Sequence, residues 1–178
     1  MYFTRKGDDG SSSLFKGERL AKDDPIFSVL GTLDELNSLL GVCHAHSPAK
    51  EKCGKPMRQL IRLAQEDIFI IQAEIAGSSK QMNKEKVEKL ESLINELSSQ
   101  IENPNAFIIP GSELTSSYLD LARTVARRAE REVVALNNQK TLSEHMLRYL
   151  NRLSSYLYVL ARLSATRAGL RNEPNPSY

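Results

Sequence analysis

The sequence predicts an all-α fold, an antiparallel bundle of five helices preceded by an extended N-terminal arm. In five stretches, apolar residues recur every three or four positions, which is the spacing of one buried helix face. No stretch alternates apolar and polar residues as a half-buried strand does, and the connections between helices are mostly short. We therefore expect a single domain of 178 residues, with the arm over 1–23, the bundle over 24–170 and a tail over 171–178.

The arm, from Thr4 to Gly17, is predicted to be neither helix nor strand. Between Thr4 and Ser13 it holds two glycines and three consecutive serines beside basic residues. The backbone N–H groups and hydroxyls of such a segment can surround a phosphate. A flexible terminal arm is the alternative interpretation, because the Walker A pattern of phosphate-binding loops is absent from the sequence.

Asp24 and Pro25 predict the start of helix 1, since an acidic N-cap followed by proline is a common start signal. The helix is expected to end near His46. Its predicted core face consists of Ile26, Val29, Leu30, Leu33, Leu36 and Leu40. A second stripe of small polar residues consists of Asp34, Asn37, Ser38 and Gly41. Solvent faces usually carry Lys and Glu, so this stripe favours contact with another chain or a ligand.

Helices 2 and 3 are predicted to supply only core positions. Helix 2 runs from about Pro56 to Ala76, and helix 3 from near Asn83 to a point before Pro104. Their apolar faces consist of Leu60, Leu63, Ile68, Ile70, Ile71 and Ile75, and of Val87, Leu90, Leu93, Ile94 and Leu97. The segment from Pro104 to Pro110 is predicted as an extended connection, with Ser112 as the N-cap of helix 4.

Helix 4 carries a stripe of cations, because Arg123, Arg127 and Arg131 recur at intervals of four with Glu130 on the same side. Like charges at this spacing destabilise an isolated helix by about 0.2–0.5 kcal/mol per pair. Either carboxylates, such as Glu130 and Glu132, or a bound polyanion must offset them, and the helix alone does not decide between the two. The predicted inward face consists of Leu114, Leu121, Val125, Ala129, Val133 and Leu136.

Helix 5 is predicted to begin at the capping box from Thr141 to Glu144 and to continue to about Gly169. Its core face consists of Leu147, Leu150, Leu153, Leu157, Leu160 and Ala161. The opposite side is predicted as a polar row that consists of Asn151, Ser154, Ser155, Tyr158 and Arg162.

Composition and charge limit the classes of function. The net charge is +2 and the charges are interspersed, which is weak support for nucleic-acid binding. No apolar run approaches about 20 residues, so neither a membrane span nor a signal peptide is predicted. Cys43 and Cys53 are predicted to be reduced thiols in a cytoplasmic protein. His44 and His46 lie two positions apart and point to different helix faces, so no metal site made by the protein alone is expected.

Five blocks of sequence, in order along nearly the whole chain, form a larger pattern. They are TRKGDDGSSSLFKGERLAKDD from Thr4, GTLDELNSLLG from Gly31, FIIPGS from Phe107, ARTVARRAER from Ala122 and YLNRLSSYLYVLAR from Tyr149. Each block alone is a weak signal, whereas their order and spacing are specific. Together they resemble the PduO-type ATP:cob(I)alamin adenosyltransferases.

The resemblance implies a homotrimer of five-helix bundles, with ATP at each subunit interface and Mg²⁺ on its phosphates. The implied ATP contacts are Thr4, Arg5, Lys6, Gly7, Ser12, Ser13 and Lys22 in the arm, and Arg127, Glu130, Arg131 and Asn151 in helices 4 and 5. Arg123 would pair with Asp34 across the subunit boundary, and these two with Arg127 are the implied catalytic residues. Phe107 would lie beside the lower face of the corrinoid.

The implied reaction transfers the 5′-deoxyadenosyl group of ATP to the cobalt of cob(I)alamin and releases triphosphate. Preorganised cations suit a leaving group that gathers negative charge, and the nucleophile belongs to the corrinoid. A corrinoid reductase and an adenosylcobalamin-dependent mutase are the partners suggested, with no nucleic acid and no membrane. The family motif usually reads NRLSD, whereas Ser155 stands in place of the acid. An RNA-binding or other polyanion-binding bundle and a purely structural oligomer are the competing interpretations.

Overall fold

The fold is described from a computed structural model, which describes residues 2–15, 17, 19–49, 54–102, 107–170 and 174. The described residues form five helices: α1 Pro25–His46, α2 Met57–Ile75, α3 Lys84–Ser98, α4 Leu114–Asn137 and α5 Glu144–Arg167. The predicted all-α bundle is therefore confirmed. Of the predicted segments, Cys53, residues 104–106 of the connection and the tail over 171–178, apart from Pro174, lie outside the described residues.

The helices pack around one apolar core. The long α4 lies along both α5 and α1, while α3 packs on α5 and α2 packs on α1. By length and composition α1 could also cross a membrane, which the sequence analysis did not predict. However, the side chains of Leu33, Leu36 and Leu40 are fully buried in the core cluster, so within this fold α1 is a core helix of the bundle.

The helix starts were predicted correctly for α1 and incorrectly for α4 and α5. The Asp24 carboxylate accepts a hydrogen bond from Ile26 N at 2.9 Å, as expected. On α4 the cap is Glu113 rather than Ser112, because its longer carboxylate accepts from both Thr115 N and Ser116 N, at 2.7 and 2.5 Å. On α5 the cap is not Thr141: Ser143 accepts from Met146 N, which makes Glu144 the first helical residue.

The inward face of α4 also differs from the prediction. Leu114 and Leu121 are 53% and 51% exposed, whereas Leu119, Ala122 and Ala126 are buried. Because α4 packs against two helices, its buried surface is wide, and alanines allow the close approach that leucines would prevent. The largest apolar residues therefore do not mark the buried face in the first two turns of α4.

Arg162 was predicted in an outer polar row of α5, but it is only 1% exposed. Its Nη2 donates to Oδ2 of the buried Asp120, and its guanidinium lies 5.1 Å from the centre of the Tyr158 ring. The same carboxylate faces Arg123 Nε at 3.5 Å. One buried carboxylate therefore stands between two guanidinium groups at the α4–α5 contact, an arrangement that helical periodicity alone could not indicate.

Half of the small polar stripe of α1 faces α2 of the same chain. Asn37 is 5% exposed, and its backbone carbonyl oxygen accepts a hydrogen bond from Gln65 Nε2 at 3.0 Å. A Cβ atom at Gly41 would stand 3.6 Å from the same Gln65 nitrogen. Asp34 and Ser38 are exposed. The contact expected with another chain or a ligand is thus made within the chain at Asn37 and Gly41.

The arm was predicted to contain no strand, but it forms a short antiparallel hairpin. The strands are β1 Ser11–Ser13 and β2 Arg19–Ala21, with Ser12 opposite Leu20. Leu14 and Leu20 pack against the core, and Phe15 N donates to the Ala76 carbonyl at the end of α2 at 3.2 Å. Three-residue strands are too short to produce a recognisable alternation of apolar and polar residues, so the pattern did not predict them.

Replacing Asp120 by asparagine is expected to destabilise the protein by about 3–5 kcal/mol, because the buried Arg162 would lose its counter-charge. Urea unfolding followed by far-UV circular dichroism measures this loss. Glu88→Gln is the control, since it breaks an exposed pair with Lys84 and should cost less than about 0.5 kcal/mol. Equal unfolding midpoints for both variants would contradict a structural role for the buried pair.

Candidate functional site

The arginine stripe of α4 and the facing residues of α5 line two cavities that share Arg127. The first, of about 310 Å³, is lined by Arg127, Glu130, Arg131, Val134 and Asn151. The second, of about 270 Å³, is lined by Arg123, Arg127, Ser154, Ser155, Tyr158 and Val159. The fold therefore brings together the cations of α4 and the polar residues of α5 that the sequence singled out. We call the first of these the arginine cavity.

Arg127 and Arg131 carry charge that carboxylates do not offset. Both side chains are exposed, and Arg131 Nη1 donates to the Arg127 carbonyl oxygen at 3.1 Å. In the part of the chain that the structure describes, neither forms an ion pair, while the neighbouring Arg128 pairs with Glu35 of α1. Two adjacent guanidinium groups with available N–H donors make an anion-binding surface.

Neither of the two carboxylates proposed as counter-charges forms an ion pair with the stripe among the described residues. Glu130 Oε1 accepts from Asn151 Nδ2 at 2.8 Å. Glu132 Oε2 is buried, with no hydrogen-bond partner among the described residues. A salt-bridged face is therefore a poor description of Arg127 and Arg131 in the part of the chain that the structure describes.

Among the described residues, Arg123 is the member of the stripe that forms an ion pair within its own chain. Its partner is Asp120, one turn earlier on α4, and its side chain is 28% exposed. The spacing of three residues between Asp120 and Arg123 is typical of an ion pair on one helix face. Asp34 is exposed on α1, and the pairing of Arg123 with Asp34 across a subunit boundary stays a prediction.

The predicted arm residues belong to one compact loop and hairpin. Lys22 Nζ donates to the Gly7 carbonyl at 2.7 Å, and a Cβ atom at Gly7 would stand 3.1 Å from that ammonium nitrogen. Arg5 has a φ of 59°, a conformation that is uncommon for a residue other than glycine. Thr4, Lys6 and Ser13 are exposed, whereas Ser12 is half-buried. The loop thus holds basic side chains next to serine hydroxyls.

Arg19, which the sequence analysis missed, organises this loop. Its Nη2 donates to the Lys6 carbonyl at 2.6 Å and to Ser11 Oγ, and it pairs with Asp9 at 3.2 Å. Hydrogen bonds from Ser11, together with the charge of Arg19, lower the pKa of the Asp9 carboxyl. The contact follows from the hairpin register, so no local sequence signal could have revealed it.

The loop and the arginine cavity are separate within one chain. Among the described residues, no hydrogen bond or ion pair joins residues 2–22 to the lining of the arginine cavity. The arm is instead tied to the end of α2 through Phe15. Within one copy of the chain, no described hydrogen bond or ion pair therefore links the two groups of predicted ATP contacts.

Several large apolar side chains are exposed in the segment that leads into α4 and in the first turns of that helix. Phe107, the predicted corrinoid neighbour, is 70% exposed, and Ile109 is 46% exposed. On α4, Leu114 and Leu121 are seven residues apart and so share a face. Exposed apolar groups of this size are typical of surfaces that bind a partner or a ligand.

The remaining reactive side chains have structural surroundings. Burial raises the pKa of the Cys43 thiol to about 12, so this cysteine stays protonated. His46 stacks on Tyr118 with 5.6 Å between ring centres, while burial and then Arg62 and Arg58 lower the pKa of His44. The described part of the chain contains no group of three side chains that could hold a metal ion.

Comparison with known proteins identifies the family. A family model described as cobalamin adenosyltransferase matches residues 2–164. A corrinoid adenosyltransferase from Citrobacter freundii is 38% identical over 171 residues, which are 92% of this chain and 94% of that protein. The corrinoid adenosyltransferase PduO of Salmonella typhimurium is also 38% identical, over 96% of this chain, although the chain spans only 51% of its length.

A solved structure agrees with these matches. It is an arginine-to-lysine variant of a PduO-type ATP:corrinoid adenosyltransferase from Lactobacillus reuteri, in complex with ATP. The TM-score is 0.88 and the sequence identity is 26%, with 97% of this chain and 99% of that chain covered. The chain belongs to the cobalamin adenosyltransferase family.

Proposed function

We infer that the protein transfers the 5′-deoxyadenosyl group of ATP to the cobalt of cob(I)alamin, which yields adenosylcobalamin and triphosphate. Family membership supports this reaction, and the observation that carries it in the structure is the unneutralised pair Arg127 and Arg131 beside Glu130 and Asn151. A polyphosphate ligand would supply the negative charge that the stripe lacks.

The chemistry requires cations more than it requires a protein nucleophile. The bond between cobalt and C5′ forms as the bond between C5′ and the triphosphate oxygen breaks, and the triphosphate leaves with the electron pair. Arg127 and Arg131 would bind the phosphates and stabilise the charge that develops on them. Removing one such preorganised donor typically costs about 10²–10³ in rate.

We propose that the complete ATP site lies between two copies of the chain in a homotrimer. The lack of a described contact between the arm loop and the arginine cavity within one chain supports this, since different copies could supply the two groups of basic residues to one nucleotide. The exposed Leu114 and Leu121 supply apolar surface for such an interface. Asp34 of one copy would then pair with Arg123 of the next.

We propose that Mg²⁺ binds through the phosphates of ATP rather than in a cage of protein ligands. Mg²⁺ usually keeps several waters and takes few carboxylates when it binds a nucleotide. Glu130 is the carboxylate that lines the arginine cavity. Phe107 would lie against the corrinoid and help to exclude water. We also propose a cytoplasmic location, with which the protonated, buried Cys43 is compatible. The proposed partner proteins are a corrinoid reductase and an adenosylcobalamin-dependent mutase.

The direct test is the visible spectrum of reduced cob(I)alamin mixed without oxygen with the protein, Mg²⁺ and ATP. We expect conversion to a light-sensitive alkylcobalamin, with one triphosphate released for each corrinoid converted. A sample without ATP and a sample without protein are the controls. A folded protein that binds ATP and leaves the spectrum unchanged would refute the reaction.

Arg127→Ala is expected to keep the fold and to lower kcat/KM by about 10²–10³, because the leaving triphosphate loses a preorganised cation. Steady-state kinetics measures this, with Arg148→Ala as the matched control. Arg148 is also exposed, pairs with Glu144 and lines neither cavity of the candidate site.

Equal activity of the two variants would show that Arg127 has no role in the reaction. An RNA-binding bundle would respond differently, since Arg127→Ala would weaken RNA binding, lower its salt dependence and have no effect linked to ATP.

A further inference from the structure

We propose that Arg152 is a positioning residue for the nucleotide: it fixes the amide orientation of Asn151, and Glu91 of α3 holds Arg152 in place. This inference rests on the proposed function, in which the arginine cavity binds ATP. It adds to that function two residues that lie outside the arginine cavity, on the α3 side of α5.

Three hydrogen bonds connect α3 to the arginine cavity. Glu91 Oε1 accepts from Arg152 Nε at 3.0 Å, and Arg152 Nη1 donates to Asn151 Oδ1 at 2.7 Å. Asn151 Nδ2 then donates to Glu130 Oε1 at 2.8 Å. The path therefore runs from α3 through two successive residues of α5 to α4. We call it the Glu91–Glu130 chain.

The chemistry of these groups allows only one orientation of the Asn151 amide. A guanidinium can only donate hydrogen bonds, and a carboxylate can only accept them. The amide must therefore direct its oxygen to Arg152 and its nitrogen to Glu130. The flipped amide would place its N–H₂ group against the N–H donors of Arg152 and its oxygen against the carboxylate, so both hydrogen bonds would be lost.

This orientation determines what the cavity offers to a ligand. The Asn151 carbonyl oxygen is occupied by Arg152, while the amide nitrogen carries a second N–H besides the one that Glu130 accepts. Asn151 therefore presents a donor to the nucleotide, and Glu130 presents its second oxygen as an acceptor. Such a pair matches a ligand group that accepts at one atom and donates at the next, as a ribose hydroxyl or the adenine edge does.

A purely structural role for Arg152 does not account for the arrangement. Arg152 and Glu91 are 41% and 43% exposed, and ion pairs with that much exposure contribute little to folding. The buried pair of Asp120 and Arg162 is the opposite case, since its side chains are 5% and 1% exposed. Loss of Arg152 should therefore affect the ligand much more than it affects stability.

The test is a double-mutant cycle on ATP binding, measured by titration calorimetry on the full chain with Mg²⁺. Arg152→Met should weaken ATP binding about tenfold, the scale at which outer partners of a ligand-binding residue usually act. In an Asn151→Ala background the same change should alter the dissociation constant less than about twofold, because the group that it positions is absent. Urea unfolding midpoints should stay at the wild-type value.

Arg148→Met is the matched control for the lost charge. Arg148 lies one turn before Arg152 on α5 and borders the same groove between α3 and α5, but it pairs with Glu144, and among the described residues no hydrogen bond joins it to Asn151. Glu91→Gln and Glu91→Ala test the α3 end of the Glu91–Glu130 chain. Glutamine keeps an acceptor for Arg152 and should bind ATP nearly as the wild type does, whereas alanine should reproduce part of the loss.

Two results would overturn the proposal: an equal effect of Arg152→Met with and without Asn151, or an effect no larger than that of Arg148→Met. If the wild type binds ATP and forms adenosylcobalamin, either result refutes the Glu91–Glu130 chain alone. Non-additive effects of the Arg152 and Asn151 changes on ATP binding, without adenosyl transfer by the wild type, would support the Glu91–Glu130 chain and refute the proposed reaction. A wild type that does not bind ATP would refute both.

Discussion

The buried carboxylate of Asp120 is the constraint on which the α4–α5 surface depends. It neutralises Arg162, which is otherwise enclosed at the helix contact, and a buried guanidinium without a counter-charge is strongly destabilising. The pair therefore fixes how α4 and α5 lie against each other where Asp120 meets Arg162. Because the side chains of Arg127 and Asn151 are carried by the same two helices, their relative position follows from that contact. One carboxylate between two arginines also leaves net positive charge at the second cavity, where Arg123 faces Arg127.

Charge on the other exposed helix faces is arranged differently. Lys84 pairs with Glu88, and Arg148 with Glu144, in neighbouring turns of single helices. Such pairs are worth only tenths of a kcal/mol, about 0.3–0.5 each, yet they leave little uncompensated field. Arg127 and Arg131 depart from that pattern, since the nearest carboxylate of their cavity is engaged by an amide. In the proposed function, the small loss of stability that this causes in the helix would be offset by an anion site that stabilises the triphosphate as it forms.

The sequence was sufficient for the features that depend on local pattern. The five helices follow from periodicity, and Asp24 and Pro25 correctly located the start of α1, because these signals lie within a few residues of one another. The errors concern long-range relations. Leu114 was assigned to the core because periodicity does not reveal which helices α4 contacts, and Arg162 was assigned to the surface because its partner lies 42 residues away. The cavity residues were found because their motif is contiguous, while Arg19 depends on the hairpin register and could not be.

The separation of the arm loop from the arginine cavity has a consequence for how a complete site forms. Each surface carries cations, with Lys6 and Lys22 on the loop and Arg127 and Arg131 on α4, so two copies of the chain that bring these side chains together without a ligand would place like charges close to one another. Like charges in a partly desolvated interface repel more strongly than the same charges in water. A polyphosphate between the two surfaces replaces that repulsion with attraction on both sides. In the proposed homotrimer, closure of the arm over the cavity would therefore be more favourable with the nucleotide in place, which would couple formation of a shielded site to binding of the substrate that needs it.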